Sequence, residues 1–376
     1  MTTTSSSVEN PLKQLSRFGQ SVWLDYIRRN LMTSGELRDL IERDGLAGMT
    51  SNPAIFEKAI SGGTEYADLL AESKSKQLDT KAIYETLAIR DIQDAADVLR
   101  PVYESTKKCD GYVSLEVSPH LAHKTTETIE EARRLWKAVD RPNLMIKVPG
   151  TSAGVPAVEV LLTEGINVNV TLLFSQQVYE EVAHAFVRAL QERAKRGAAV
   201  SDIASVASFF VSRIDTLVDG LIDAKLAAGV SAPEQMILES VRSKVAIANA
   251  KVTYESYGKI FSGASWQALA ARGAQTQRVL WASTSTKNPK LRDVLYIEEL
   301  IGRDTVNTIP PATYDAFRDH GELRGSLEEN VEDARMVMSN LAKAGISMKQ
   351  VTDDLVVQGV KLFEEAFDKL LAAIAR

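Results

Sequence analysis

The 376-residue chain contains a single cysteine, Cys109. One thiol excludes an intrachain disulfide and any cysteine-based zinc cluster, and it fits a reducing compartment such as the cytoplasm. Histidine is also scarce. Of four residues, only His120 and His123 lie close together in sequence. A catalytic zinc takes three protein ligands, so this pair is expected on a solvated loop with no metal. The segment Met1–Asn10 has neither a basic cluster nor an apolar run. It is not expected to be a secretory signal and reads as a disordered tail. No stretch approaches about 18 uninterrupted apolar residues, so no membrane span is expected. Positive charge is not in excess: 44 Lys and Arg face 50 Asp and Glu, a net charge of −6. That balance disfavours nonspecific nucleic-acid binding but permits a local basic pocket.

What the chain does have is a repeated alternation of short β-type runs and longer helical patterns. The expected strands are Ser21–Tyr26, Leu46–Thr50, Tyr112–Val117, Asn143–Val148, Ile166–Leu172, Ala204–Val211, Arg278–Thr284 and Thr305–Ile309. Helical spacing appears in Lys81–Arg100, Thr125–Val139, Gln176–Arg196 and Ile214–Gly229. Long helical stretches also cover Pro233–Ile260, Ser262–Arg272 and Ser347–Ala375. Strands separated by helices imply crossover connections and a parallel sheet. Eight such units suggest an α/β fold of one closed (β/α)₈ barrel, the TIM barrel, with additional flanking helices. Such barrels run to about 250 residues, so the excess falls to the added helices. No linker divides residues 11–376, which read as one domain.

The strands alternate apolar and polar residues. Val113-Ser114-Leu115-Glu116-Val117 and Ile166-Asn167-Val168-Asn169-Val170-Thr171-Leu172 do so strictly. In Leu144-Met145-Ile146-Lys147-Val148, Lys147 lies opposite Leu144, Ile146 and Val148. Successive side chains of a strand point to opposite faces, and the apolar face of a wrapped barrel must meet the helices. Glu116, Lys147, Asn167, Asn169 and Thr171 are therefore expected to point inward, as are Ser21, Trp23 and Asp25. A lysine buried on a strand is rare unless paired. Desolvation disfavours its charged form, and a neutral amine can attack a carbonyl to form a Schiff base. A salt bridge to a neighbouring strand is the structural alternative. Asp25 and Glu116 supply acid and base partners.

Specific motifs sharpen this reading. Gly48-Met49-Thr50-Ser51-Asn52-Pro53-Ala54-Ile55-Phe56 resembles the first signature of the transaldolases. Leu144-Met145-Ile146-Lys147-Val148-Pro149-Gly150-Thr151, continuing to Gly154, resembles the signature that carries their Schiff-base lysine. Asn167–Ser175 is similar to the strand that follows, Ser208–Asp215 to the phosphate-binding strand end, and Trp23-Leu24-Asp25 to the first-strand aspartate. The matches come in chain order on five of the expected strands. The resemblance implies a metal-independent, cofactor-free barrel enzyme of the non-oxidative pentose phosphate pathway. Such enzymes move a dihydroxyacetone unit from a ketose phosphate (sedoheptulose 7-phosphate or fructose 6-phosphate) to an aldose phosphate (glyceraldehyde 3-phosphate or erythrose 4-phosphate). It implies Lys147 as nucleophile and Asp25 as the acid/base at the donor C4 hydroxyl. Glu116 matches the acid/base that works through a water, and Thr171 matches the residue that helps to hold that water. Asn52 and Asn169 match residues that orient the three-carbon unit, and Arg213, with Ser208 nearby, matches phosphate recognition.

One departure stands out. Some transaldolases carry an arginine after strand seven, where this chain has Ala282-Ser283-Thr284-Ser285-Thr286-Lys287. Ser283, Ser285 and Lys287 are expected to bind phosphate there, unless the run is a solvated loop. Arg213 has the alternative of a salt bridge to Asp215 or Asp219. Cys109, beside Lys107 and Lys108, is either a reactive thiol or a bystander. Gly150–Gly154 lacks the lysine of a nucleotide-binding loop and reads as a strand-to-helix turn. The competing functions are a fructose-6-phosphate aldolase-type lyase and a non-catalytic sugar-phosphate-binding barrel. The expected partners are phosphorylated sugars, not nucleic acid or membrane, and the chain is expected to be a monomer or homodimer.

Overall fold

A computed structural model describes residues 10–62 and 64–375. Of the expected N-terminal tail, residues 1–9 lie outside the described residues. Asn10 is ordered: its side chain accepts from the Leu12 amide and caps the short helix Pro11–Gln14. Eight strands follow: β1 (Gln20–Asp25), β2 (Gly48–Thr50), β3 (Tyr112–Glu116), β4 (Leu144–Pro149), β5 (Val168–Leu173), β6 (Ser205–Phe210), β7 (Arg278–Ala282) and β8 (Thr305–Ile309). They occupy the expected segments, with no end displaced by more than two residues. Each pairs in parallel with its sequence neighbours, and β8 pairs with β1, which closes the barrel. This is the (β/α)₈ architecture expected from the strand–helix alternation.

The alternation within the strands sorts the faces. Leu115, Ile146 and Val168 are in register and buried against the helices, while Glu116, Lys147 and Asn169 are in register one step away on the opposite face. Trp23 fills the barrel interior beside Gly48. A Cβ at residue 48 would lie 2.5 Å from the indole, so only glycine fits there. Below it, Arg278 at the start of β7 donates to Asp110 (2.8 Å), Ser21 (2.7 Å) and the Cys109 carbonyl (2.6 Å). Asp110 also accepts from the Trp23 indole at 3.0 Å. Buried charge is tolerated here because every partner is supplied. Asn167 belongs to this end as well. Its amide donates to the Pro142 and Leu144 carbonyls and accepts from the Ala204 N–H, joining three neighbouring strand starts rather than facing the site. Cys109 is partly buried, and burial pushes its thiol pKa up, which disfavours the reactive thiolate.

One expectation about helices changes. Pro233–Ile260 is not one helix but two, Ala232–Val241 and Val245–Ser262. The break falls at Ser243, with φ +54°, and Asp219 of the helix Ser212–Ala228 accepts both its amide (2.8 Å) and its hydroxyl (2.5 Å). The C-terminal helix, Met348–Ala375, packs on the helices Pro53–Ser61, Thr80–Ser105 and Ser212–Ala228 and on β5. It therefore crosses the barrel at its C-terminal mouth. Val351, Leu355, Val360, Phe363 and Phe367 are buried along it, and Leu362 is half exposed. No helix among the described residues is long and apolar enough to cross a membrane.

Candidate active site

The C-terminal strand ends surround a cavity of about 160 Å³. Asp25 of β1, Lys147 of β4, Thr171 of β5 and Ser208 of β6 all line it. So do Asn52 after β2, Arg213 after β6, and Ser283, Ser285 and Lys287 after β7. Of the expected site residues only Glu116 and Asn169 are not in its wall, and both touch groups that are. Strand order alone brings these distant residues together, because each sits at the last turn of its strand.

Lys147 is the centre. It is 4% exposed, and its Nζ donates to the Ser51 carbonyl at 3.0 Å. Glu116 Oε2 lies 3.3 Å away, a consequence of the direct register between β3 and β4. The salt bridge to a neighbouring strand, the structural alternative, is thus present, and its partner is the expected acid/base itself. Burial pushes the Glu116 carboxyl up to about 7, against the opposing pull of Lys147. A carboxyl tuned this close to neutrality can both take and give a proton. Neither Glu116 oxygen accepts a hydrogen bond from the described residues, and neither does the buried Thr171 hydroxyl have a partner among them. A second cavity of about 10 Å³, on the scale of one water, adjoins Glu116 and is lined by Tyr84, Ser118, Glu131 and Phe367 among others.

Asp25 stands across the cavity. The Thr50 hydroxyl donates to its Oδ1 at 2.7 Å and lies 2.7 Å from the Thr308 hydroxyl. Burial raises its pKa, while Lys147, Thr50 and Arg213 act in the opposite direction. Asn169 is fixed from both sides: its amide donates to Ser114 at 3.0 Å and accepts from Ser208 at 2.6 Å. Ser208 therefore positions Asn169 as well as lining the cavity. Asn52 caps the helix Pro53–Ser61 by accepting the Ile55 amide at 3.0 Å. That bond fixes the side chain at the cavity edge.

The far end is basic. Arg213 makes no ion pair among the described residues and lies over the Phe210 ring, 5.5 Å from its centre. The alternative partners are occupied elsewhere, Asp215 by the Ala246 amide and Tyr296, Asp219 by Ser243. Ser283 has φ +56° and lies 3.0 Å from the Ser212 hydroxyl; Lys287 donates to Ser285 at 2.8 Å. Thr284 turns away and donates to Asn307. His120 is also accounted for. It contacts Asp368 of the C-terminal helix at 2.8 Å, away from the cavity.

Sequence reasoning overlooked Ser114, Thr50, Thr308, Phe210 and Phe363. Ser114 had a signal, since it shares the inward face of Val113–Val117 with Glu116. Thr50 lies within the quoted turn Thr50-Ser51-Asn52. Phe363 had none, because only the path of the C-terminal helix brings it to the cavity.

Fold and site together define a (β/α)₈ barrel with a buried lysine beside a carboxylate, a second carboxylate across the pocket, and a basic end. The profile of the Transaldolase/Fructose-6-phosphate aldolase family matches residues 22–374. Among similar curated proteins, Transaldolase 2 of a Nostoc species is 50% identical over 372 residues, covering 97% of each chain. The transaldolase of Trichodesmium erythraeum is 49% identical over 370 residues, covering 98% of this chain and 97% of its own. That of Thiobacillus denitrificans is 47% identical over 365 residues, covering 97% and 99%. The chain belongs to the transaldolase/fructose-6-phosphate aldolase family.

Proposed function

We infer that this enzyme is a transaldolase whose covalent chemistry runs through Lys147. The observation that carries the assignment of roles is the buried Lys147–Glu116 contact at 3.3 Å, facing a pocket that also holds Asp25. The Lys147 amine adds to the C2 ketone of a ketose phosphate. Glu116 relays the protons through a water that Thr171 helps to hold, and loss of water leaves an iminium. The iminium is an electron sink, the part a metal ion plays in metal-dependent aldolases. Asp25 takes the C4 hydroxyl proton, the C3–C4 bond breaks, and an aldose phosphate leaves. The enamine that stays on Lys147 then attacks the aldehyde carbon of the acceptor aldose phosphate, Asp25 returns a proton to the new hydroxyl, and water frees the product ketose. Asn52 and Asn169 hold the three-carbon unit. Arg213, Ser283, Ser285 and Lys287 hold the phosphate, a fork of donors at one side and a point charge at the other. Residues 11–376 act as one domain. The enzyme works in the cytoplasm as a monomer or homodimer, with sedoheptulose 7-phosphate or fructose 6-phosphate as donor.

Transfer and simple cleavage differ in the fate of the enamine. With fructose 6-phosphate as donor, turnover is expected to require erythrose 4-phosphate. Steady release of free dihydroxyacetone at a comparable rate without acceptor would identify an aldolase instead.

Glu116 also sets a pH dependence. It can take a proton during amine attack only when its carboxyl is ionised, and below about 7 a proton occupies it. kcat/KM is therefore expected to fall about tenfold per pH unit below that point. Glu116→Gln should lose this limb and about 10²–10³-fold of the rate. A wild-type profile flat from pH 5 to 8 would refute the assignment. The linkage sign for stability follows from the raised pKa. Glu116 favours the fold fully below its ordinary value of 4.5, and that contribution is lost as pH rises through about 7.

A further inference from the structure

Phe363 is the one residue of the cavity wall that comes from neither a strand end nor the loop or helix start that follows it. It is 6% exposed, and its ring centre lies 5.7 Å from Lys147 Nζ. The position follows from helical spacing. Residues four apart share a helix face, so Gly359, Phe363 and Phe367 form one stripe. Gly359 lies against Leu172 of β5, where a Cβ would come within 2.8 Å of the leucine side chain. One turn later Phe363 faces Lys147 of β4. A further turn on, Phe367 lines the small cavity beside Glu116 of β3 and packs edge-on against Tyr84 at 5.4 Å. His120 contacts Asp368 at 2.8 Å and ties the end of this stripe to the turn after β3. The stripe thus crosses three successive strand ends, and the absence of a side chain at Gly359 sets how closely it lies.

We propose that Phe363 is a positioning residue that directs the covalent intermediate toward transfer. The inference rests on Lys147 as the Schiff-base nucleophile. An aromatic face attracts a nearby cation, so the ring favours the charged iminium nitrogen that both fates of the enamine form. Its apolar surface separates the two fates, because it keeps water, which delivers the competing proton, from the bound three-carbon unit. The enamine carbon has two fates. It forms a C–C bond to the acceptor aldehyde, or it takes a proton; in the second case water adds to the resulting iminium, the C–N bond breaks and free dihydroxyacetone leaves the regenerated amine. Both fates balance without an oxidant or reductant. Phe363 suppresses the second.

The test is the ratio of dihydroxyacetone release to transfer, measured with fructose 6-phosphate and erythrose 4-phosphate in wild type, Phe363→Ala and Phe363→Leu. Both fluxes pass through the same active sites, so the ratio does not depend on how much of a variant is folded. Phe363→Ala is expected to raise it about tenfold, and Phe363→Leu, which keeps a smaller apolar cover, about threefold. Ratios within twofold of wild type in both variants would overturn the proposal. Borohydride trapping on wild type is run beside it: an adduct on Lys147 with unchanged ratios refutes only the role of Phe363, whereas no adduct on Lys147 refutes the Schiff-base reading itself.

Discussion

Lys147→Met is expected to abolish turnover, with kcat/KM at least about 10⁴-fold below wild type, while the protein remains folded. The methionine keeps the length and apolar stem of the lysine, so the barrel interior stays filled, and only the amine is lost. Without it no iminium forms, and Asp25 and Glu116 have no electron sink to serve. Removing one member of a buried ion pair typically costs about 3–5 kcal/mol. The cost is reduced here because the Glu116 carboxyl, already pushed up to about 7, can take a proton and become neutral. Near-ultraviolet circular dichroism checks the fold, and a coupled assay of glyceraldehyde 3-phosphate formation checks turnover. A folded variant that retains more than a few per cent of activity would show that another group carries the covalent step.

Asp25→Asn should produce a different failure. The carboxylate of Asp25, held by Thr50 at 2.7 Å, is the base for the C4 hydroxyl, so the amide should lower kcat by about 10³-fold. Amine addition at C2 does not need it. The Schiff base with the donor should therefore form and accumulate, because the bond-breaking step that follows is blocked. KM for the donor is expected to change little beside kcat. The check is the steady-state split together with the yield of reduced adduct per subunit, which should rise above the wild-type level. An Asp25→Asn enzyme that forms no adduct would place Asp25 in imine formation instead.

The site was legible in the sequence where strand periodicity determines it. Strict alternation in Val113–Val117 and Ile166–Leu172 put Glu116, Asn169 and Thr171 on the inward face, and parallel register then set Glu116 beside Lys147 and Lys147 beside Asn169. The chemistry of the individual residues required only that they share a mouth, which a closed barrel guarantees. The same rule overreached at Asn167, where the inward position lies at the closed end and its amide serves neighbouring backbone. Other features depend on contacts that no local pattern encodes. The helix break at Ser243 has neither glycine nor proline to mark it and exists because Asp219 of another helix accepts its amide. The C-terminal helix reads as amphipathic from its spacing, but its path across the mouth is set by what it packs against, including Leu172 at Gly359. Phe363 was therefore invisible in the sequence as a wall of the active site. Ser283, Ser285 and Lys287 of the basic end line the cavity, although the outward turn of Thr284 between two wall residues has no signal in the sequence.

The most direct test of the central claim is borohydride reduction of the enzyme with fructose 6-phosphate, followed by peptide mass spectrometry, with and without erythrose 4-phosphate. The expected result is a stable dihydroxyacetone-derived adduct on Lys147 and on no other lysine, in lower yield when the acceptor is present to draw the enamine forward. An adduct on a different lysine, or none at all, would contradict it.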